Sequence, residues 1–203
     1  MSKVAIKGNA SGTGTFTVEA PNSNTDRTLT LPDEAGTVVT TGSYVAGITM
    51  VDSYYVTSNQ TLTGSAQVIG VDDNLTWTHD TNIYFGSIGT GMSESNGTFT
   101  FPSTGIYKIT AQLSMDADGG DTHVFSSMDY SSDGGSTWDT LRYSSDFSTA
   151  SGQNTSHPLV DFYKVTDTAN DKIRLEFTGA TGATAMGSRF YSYVIFERIG
   201  GVS

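Results

Sequence analysis

In the segment Gly105–Met115, GIYKITAQLSM, the side chains alternate between apolar and polar. Successive side chains of a β-strand point to opposite faces of the sheet. One face would carry Tyr107, Ile109, Ala111, Leu113 and Met115, and the other Lys108, Thr110, Gln112 and Ser114. The pattern therefore predicts a strand with one face in a core and the other in solvent.

Other segments show related patterns. In Lys172–Phe177 the inward residues would be Ile173, Leu175 and Phe177, and in Val124–Tyr130 they would be Val124, Met128 and Tyr130. The closing segment Ser188–Ile199 instead has apolar residues on both sides, with Phe190, Val194 and Phe196 opposite Tyr191, Tyr193 and Ile195. Such a strand is typical of a sandwich interior or of a face covered by another subunit. Both interpretations remain open for this segment.

The composition favours an all-β protein. The 203 residues include 31 Thr, 25 Ser and 23 Gly but only eight Leu and five Glu. No segment repeats apolar residues with helical spacing over three turns, whereas the abundant Thr, Val, Ile, Tyr and Phe suit a pleated sheet. We therefore expect a nearly all-β protein, an antiparallel β-sandwich or jelly roll.

The charge balance excludes several classes of partner. A formal charge of -11 with ten basic residues leaves no basic stripe for phosphates, so nucleic-acid binding is not expected.

No run of the sequence approaches the roughly 20 apolar residues of a membrane span, and the first residues lack the apolar core of a signal peptide. The absence of cysteine removes disulfide scaffolds and thiolate chemistry. The expectation is a soluble protein without membrane insertion.

The chain divides into two parts of different character. Residues 1–45 contain short strand-like fragments, Thr15–Glu19, Thr28–Leu31 and Thr37–Thr40, separated by Pro, Asn and Gly turn clusters. These fragments cannot close a core alone, so we expect them to attach to a larger assembly or to neighbouring chains. Residues 46–203 carry strand signals every 8 to 14 residues, as in a sandwich domain. We expect the linker between the two parts at Gly42–Gly47, GSYVAG.

One motif predicts a structured turn. The segment Ser131–Trp138, SSDGGSTW, matches the Asp-box pattern, which occurs in several copies in sialidases. Its key residues are Ser131, Asp133, Gly135, Thr137 and Trp138. The Asp133 carboxylate can accept backbone N–H groups, and Gly135 can adopt a positive φ. With one copy and five scattered arginines, a structural hairpin turn is expected rather than a glycosidase.

A second loop offers a metal-binding hypothesis. The segment DADGGD places Asp116, Asp118 and Asp121 in a glycine-rich loop after the predicted strand. Carboxylate oxygens on a flexible loop suit calcium, although the spacing differs from an EF-hand. An acidic turn without metal is the alternative, and no other cofactor is expected.

The sequence gives no positive indication of catalysis. Its three histidines, His79, His123 and His157, are isolated from one another along the chain. No glycine-rich segment precedes a predicted helix, so a phosphate-binding loop is not expected. The chain is therefore predicted not to be an enzyme.

Two stretches resemble known families. The segment Ala10–Gly42, with LPDEAGT at Leu31–Thr37, resembles a short module common in bacteriophage tail-fibre proteins. The remainder resembles the jelly roll of the tumour-necrosis-factor and complement-globular-head superfamily, through FTFPSTGIYKI at Phe99–Ile109 and SRFYSYVIF at Ser188–Phe196. This chain has Ser192 where that family usually has Gly.

The resemblances imply a trimeric receptor-binding protein of a phage virion. They imply a homotrimer in which Tyr107, Phe190, Tyr191, Tyr193 and Ile195 lie at the trimer interface or in the core. The N-terminal segment would bind other virion proteins, and the head would bind a host surface glycan or protein, with candidate contacts Tyr143 and Phe147. The expected location is an exposed appendage on tail or capsid, made in the host cytoplasm. A capsid decoration or head-fibre protein with a structural role is the alternative.

Overall fold

The computed structural model describes residues 10–15, 17, 19, 22–26, 28, 47–71, 75–81, 87–117, 124–146, 152–178 and 181–201. Within these ranges the regular elements are thirteen β-strands, and no helix occurs. No described helix is therefore long and apolar enough to cross a membrane. The strands are β1 (Met50–Val56), β2 (Gln60–Thr63), β3 (Gln67–Val68), β4 (Trp77–His79), β5 (Ser93–Ser95), β6 (Thr98–Thr100), β7 (Gly105–Ala117), β8 (Val124–Ser131), β9 (Asp139–Asp146), β10 (Gln153–Val165), β11 (Lys172–Thr178), β12 (Thr181–Ala185) and β13 (Tyr193–Gly200).

The chain separates into two compact units, residues 1–39 and residues 40–203. In the described part of the first unit, the Thr25 N–H donates a hydrogen bond to Ser23 Oγ at 3.1 Å. The predicted strand fragments and the predicted linker lie mostly outside the described residues. The predicted division into residues 1–45 and 46–203 therefore stays a prediction.

The second unit consists of two antiparallel sheets, which confirms the predicted all-β class. The first sheet, sheet A, has the order β2-β12-β7-β13-β1-β4, and β10 pairs along the other edge of β7. The second, sheet B, has the order β5-β6-β11-β8-β9, with β3 also paired to β11. The inward faces of the two sheets form one apolar core.

The long strand β7 agrees with the alternation in its sequence. All five residues predicted to face inward are buried: Tyr107, Ile109, Ala111, Leu113 and Met115. Opposite them, the three inward residues of β11 predicted from the sequence are also buried: Ile173, Leu175 and Phe177. Burying each large side chain contributes about 1.5–3 kcal/mol, so this face stabilises the pairing of the sheets.

Aromatic rings fill the middle of the core. The Phe99 ring centroid lies 5.1 Å from that of Tyr54, 5.4 Å from Trp77 and 5.0 Å from Phe196. These tilted and edge-to-face arrangements are the ones that aromatic quadrupoles favour. In β8, Val124 and Met128 are buried as predicted, and Tyr130 is partly buried against the core.

The first residues of the closing segment 188–199 do not form the predicted strand. Residues 188–192 form a turn, in which the amides of Tyr191 and Ser192 both donate to the Ser188 carbonyl at 2.9 and 3.0 Å. Strand β13 begins only at Tyr193, opposite Gln112. The reason is that β12 already occupies this edge of β7 at Met115 and Asp116. The prediction that Phe190 and Tyr191 lie within the last strand is therefore wrong.

Candidate binding surface

The outward side of sheet A is an exposed surface that carries apolar side chains. It is built from β1, β13, β7 and β10, whose registers align their outward residues in rows across the sheet. We call this surface the open face; its residues are Val51, Ser53, Tyr55, Tyr193, Ile195, Glu197, Lys108, Thr110, Gln112, Pro158, Val160 and Phe162. One row runs from Ser53 through Ile195 and Thr110 to Val160.

The open face is most exposed along β10. Phe162 is 57% exposed and Val160 is 46% exposed, although both are large apolar residues. Contiguous apolar surface of this kind marks an interaction site in soluble proteins. By contrast, Thr110 in the middle of the open face is only partly exposed, and its Oγ1 is buried with no hydrogen-bond partner among the described residues.

The open face is electrically balanced. Its two charged residues form a pair, with Lys108 Nζ 2.9 Å from Glu197 Oε2. Their partners on neighbouring strands are the aromatic Phe162 and the apolar Val51. Because the whole chain carries a formal charge of -11, this neutral area is where another acidic chain can approach without charge repulsion.

The turn at residues 188–192 forms one border of a pocket on this surface. The pocket has a volume of about 340 Å³ and is lined by Ser53, Tyr54, Asp80, Gln112, Arg189, Phe190, Tyr193 and Ile195. Phe190 is 77% exposed at its rim. Arg189 lies 3.6 Å from the Asp80 carboxylate and 5.2 Å from the Tyr55 ring centroid. Aromatic, apolar and paired charged groups thus converge here.

The five residues predicted for a trimer interface or core separate in the structure. Tyr107 is buried in the core, where its hydroxyl donates to the Ser103 carbonyl at 2.9 Å. Tyr193 and Ile195 lie outward on β13 and belong to the open face. Phe190 and Tyr191 lie on the turn before that strand. Phe190, Tyr193 and Ile195 thus line the pocket on the outward side of sheet A, whereas Tyr107 faces the core and Tyr191 is 42% exposed on the turn.

The Asp-box segment folds as a tight turn between β8 and β9. Ser131 Oγ donates to Asp133 Oδ1 at 2.7 Å and accepts the Gly135 N–H at 2.9 Å. The Asp133 carboxylate also accepts the backbone N–H of Thr137 at 2.9 Å and its hydroxyl at 2.7 Å. These hydrogen bonds from Thr137 and Ser131 lower the pKa of Asp133 to about 2. Gly135 has a φ of 96°, which glycine adopts without strain.

Trp138 closes this turn and packs on the outer side of sheet B. Its indole N–H donates to the Gly135 carbonyl at 3.0 Å. The Arg174 guanidinium lies 4.6 Å from its ring centroid and is 3.2 Å from the carboxylate of buried Asp129. The turn also joins the neighbouring loop, where the Gly134 N–H donates to the Asn170 carbonyl at 3.0 Å, so its hydrogen bonds are those of a structural element.

The predicted calcium ligands are described only in part. Asp116 lies near the end of β7, with Asn154 and Thr184 as its strand partners. Its Oδ1 is buried with no hydrogen-bond partner among the described residues. Asp118 and Asp121 lie outside the described residues, and no cluster of three metal-ligating residues occurs within them. Calcium binding at this loop stays a prediction.

The predicted receptor contacts are likewise described in part. Tyr143 is 68% exposed on β9, the edge strand of sheet B. Phe147 lies outside the described residues. On the same strand, Arg142 Nη2 lies 2.7 Å from the Asp161 carboxylate of β10, which ties the two sheets together beside Tyr143. Tyr143 is available for contact on a face separate from the open face.

A buried polar cluster lies beside the pocket, and the sequence did not predict it. The Asp52 carboxylate is buried and accepts the N–H groups of Ser53 at 3.0 Å and Met92 at 2.7 Å. His79 Nε2 lies 2.5 Å from its Oδ1. Nearby, the Tyr54 hydroxyl donates to the Met92 carbonyl at 2.8 Å, and burial with the Asp52 charge raises the pKa of Tyr54 to about 12. These contacts hold β1, β4 and the segment before β5 together.

Comparison with known proteins identifies the fold. Two crystal structures of murine APRIL, at pH 5.0 and pH 8.5, are each 13% identical to this chain, with TM-scores of 0.56 and 0.54, and each covers 74% of this chain and 98% of its own. Eiger TNF from S. frugiperda is 12% identical, with a TM-score of 0.55, and covers 77% of this chain and 96% of its own. The fold is a TNF-like jelly roll.

The same comparisons leave the family of the chain open. No protein-family model matches the sequence, and no curated protein matches it. At 12–13% identity the structural likeness concerns the fold alone. The predicted jelly roll is thus confirmed, while the resemblance to phage tail fibres stays a prediction.

Proposed function

We propose that this chain is a homotrimeric binding head of a bacteriophage fibre. The observation that carries the proposal is the open face, which is neutral and partly apolar although the core beneath it is complete. A second copy of the same chain suits this surface, because its own open face is equally free of net charge. Mixed apolar and polar patches with few charges at the centre are typical of protein interfaces.

The exposed groups of the open face suit contact between copies of the chain. The most exposed apolar side chains, Val160 and Phe162, lie on β10 at one side of sheet A. The pocket beside Phe190 lies on β1 and β13, with β7 between. A protrusion and a pocket on different parts of one surface can meet in a symmetric pair, where each copy fills the other, or in a heterologous contact, which forms a ring when the rotation between copies closes. Three copies follow from the resemblance to the tumour-necrosis-factor superfamily.

The role of the assembly rests on the resemblance of residues 10–42 to tail-fibre modules. In this proposal the N-terminal segment joins the head to other virion proteins. The exposed surfaces of sheet B, including Tyr143, remain free for a host glycan or protein, and three equal sites on one head raise avidity by about 10² to 10⁴. The proposal assigns no catalytic role to the chain.

Adsorption of the labelled full-length protein tests this function. Fluorescent protein is incubated with a panel of bacterial strains and, separately, with purified phage particles. We expect saturable binding to a subset of strains and weaker binding by Tyr143→Ala, with Thr140→Ala on the same edge strand as the control. Binding to particles with no saturable binding to any strain would overturn the receptor function and favour the capsid-decoration alternative.

A further inference from the structure

The core contains a histidine that is almost completely buried, which is unusual for an ionisable side chain. His157 lies on β10 opposite Leu113 of β7, and it is 1% exposed. Its neighbours Ser156 and Pro158 point to solvent, so alternation along the strand turns the imidazole into the space between the two sheets. There its Nδ1 lies 2.8 Å from Ser126 Oγ of β8, on the opposite sheet. This contact is a polar link across the sandwich.

The contact with Ser126 provides a hydrogen-bond partner for only one of the two ring nitrogens of His157. Its Nε2 is buried and has no hydrogen-bond partner among the described residues. A neutral imidazole needs a donor at one nitrogen and an acceptor at the other, whereas an imidazolium needs an acceptor at both. Protonation would therefore bury a second N–H without a partner and a charge in an apolar interior, both of which are costly.

The surroundings offer little to stabilise a positive charge. Asp146 of β9 is the acidic group that acts on His157, and its attraction is outweighed by burial, so the pKa of His157 is lowered below the usual 6.5. The ionisable side chains on the inward side of the packed strands are Tyr107 on β7, Tyr130 on β8, Tyr163 on β10, and Asp161 on β10, which is paired with Arg142 of β9. The other inward residues of the described parts of β7, β8, β11 and β12 carry no ionisable group: Ala111, Leu113 and Met115 on β7, Val124, Ser126 and Met128 on β8, Leu175 and Phe177 on β11, and Ala183 and Ala185 on β12. The ring must reach water to hold its proton.

We propose that His157 is an acid-sensitive latch that holds β8 and β10 together and opens when the protein enters mildly acidic medium. The latch is separate from the binding function, because it acts inside the sandwich and touches neither the open face nor Tyr143. In neutral solution the uncharged ring bridges the sheets through Ser126. In acid, uptake of one proton is coupled to local separation of the two strands, since the proton is bound only in the opened state.

The sign of the effect follows from the lowered pKa. The opened state binds the proton below pH 6.5, while the closed state binds it only at lower pH. The closed latch therefore has its full stability above pH 6.5, and this stability decreases as the pH falls below 6.5. One proton changes the opening equilibrium by up to about tenfold per pH unit, which for an opened-state pKa of about 6.5 gives at most about 30-fold between pH 7.5 and 5.0.

Hydrogen exchange on the full-length protein tests the latch. Exchange of peptides from β8 and β10 is measured at pH 7.5 and 5.0 and corrected for the intrinsic pH dependence of exchange. In the wild type we expect opening to increase about 10- to 30-fold at pH 5.0. His157→Gln should lose this difference, while His79→Gln, which removes a half-exposed histidine elsewhere, should keep it.

Two results would overturn the latch. One is the same pH dependence in the wild type and in His157→Gln. The other comes from NMR of the unmodified protein, which does not depend on the variant folding: an imidazole of His157 that titrates at the ordinary pKa, with unchanged amides in β8 and β10. A ring that stays neutral until these amides change would support the latch.

Discussion

Ser192 Oγ accepts the backbone N–H of Ser114 at 3.1 Å, and both residues are buried. Ser192 lies in the turn before β13. Its hydroxyl takes the place of a strand partner at a point where this edge of β7 has none among the described strands. The hydroxyl of Ser114 in turn donates to the Tyr191 carbonyl at 2.8 Å. The serine at position 192, where the resembling family usually has glycine, thus fixes the turn that carries Phe190 and Tyr191.

We therefore predict that Ser192→Ala destabilises the protein. The substitution leaves the Ser114 N–H buried without an acceptor, which costs about 1–3 kcal/mol. Ser145→Ala, on the exposed edge strand β9, is the matched control and should change stability by less than about 0.5 kcal/mol. Denaturant unfolding of the three proteins measures the difference, and equal midpoints would show that the Ser192 hydroxyl is dispensable.

A second prediction concerns Gly91, whose lack of a side chain leaves room for the Asp52 carboxylate. A Cβ at position 91 would collide with Oδ2 and Cγ of the Asp52 side chain. Since Asp52 is held by the amides of Ser53 and Met92, it cannot move without breaking those bonds. We expect Gly91→Ala to lower the free energy of unfolding by about 1–3 kcal/mol.

The control for this substitution is Gly201→Ala, because a Cβ there meets nothing within 4 Å. Thermal unfolding should show a lower midpoint for Gly91→Ala only. A Gly91→Ala protein as stable as the wild type would mean that the Asp52 cluster adapts without cost.

The Asp-box turn predicts an unusual carboxyl titration. Asp133 should titrate with a pKa of about 2, below the ordinary 3.8, because Thr137 and Ser131 donate hydrogen bonds to its charged form. Its contribution to stability is therefore complete above pH 3.8 and decreases as the pH falls towards 2. Carboxyl NMR of Thr137→Val, which removes one hydroxyl donor, should show the pKa of Asp133 moved upward. An unchanged pKa would contradict the assigned cause.

The strands with clear alternation were predictable from the sequence. From Tyr107 to Met115 in β7 and from Ile173 to Phe177 in β11 the inward residues are apolar and the outward ones polar, so the local sequence indicates the face. The two-sided pattern of residues 188–199 was misleading, because competition from β12 for the edge of β7 sets the start of β13. That competition involves residues distant in sequence, which a local pattern does not contain.

The polar groups of the interior were not predictable for the same reason. His157 and Ser126 are 31 residues apart, and Asp52 and Met92 are 40 apart. The inward orientation of His157 was also hard to predict because Pro158 follows it, and a proline usually argues against a strand. It is tolerated here because β10 is an edge strand that pairs only with β7.

Contact between copies through the open face determines the mass of the protein in solution. Light scattering after size exclusion should give three times the chain mass of 21.5 kDa for the wild type and for Tyr143→Asp. Phe162→Asp places a charge on the most exposed apolar position of β10 and should shift the protein to 21.5 kDa. A wild-type protein that stays at 21.5 kDa at micromolar concentration would contradict the claim.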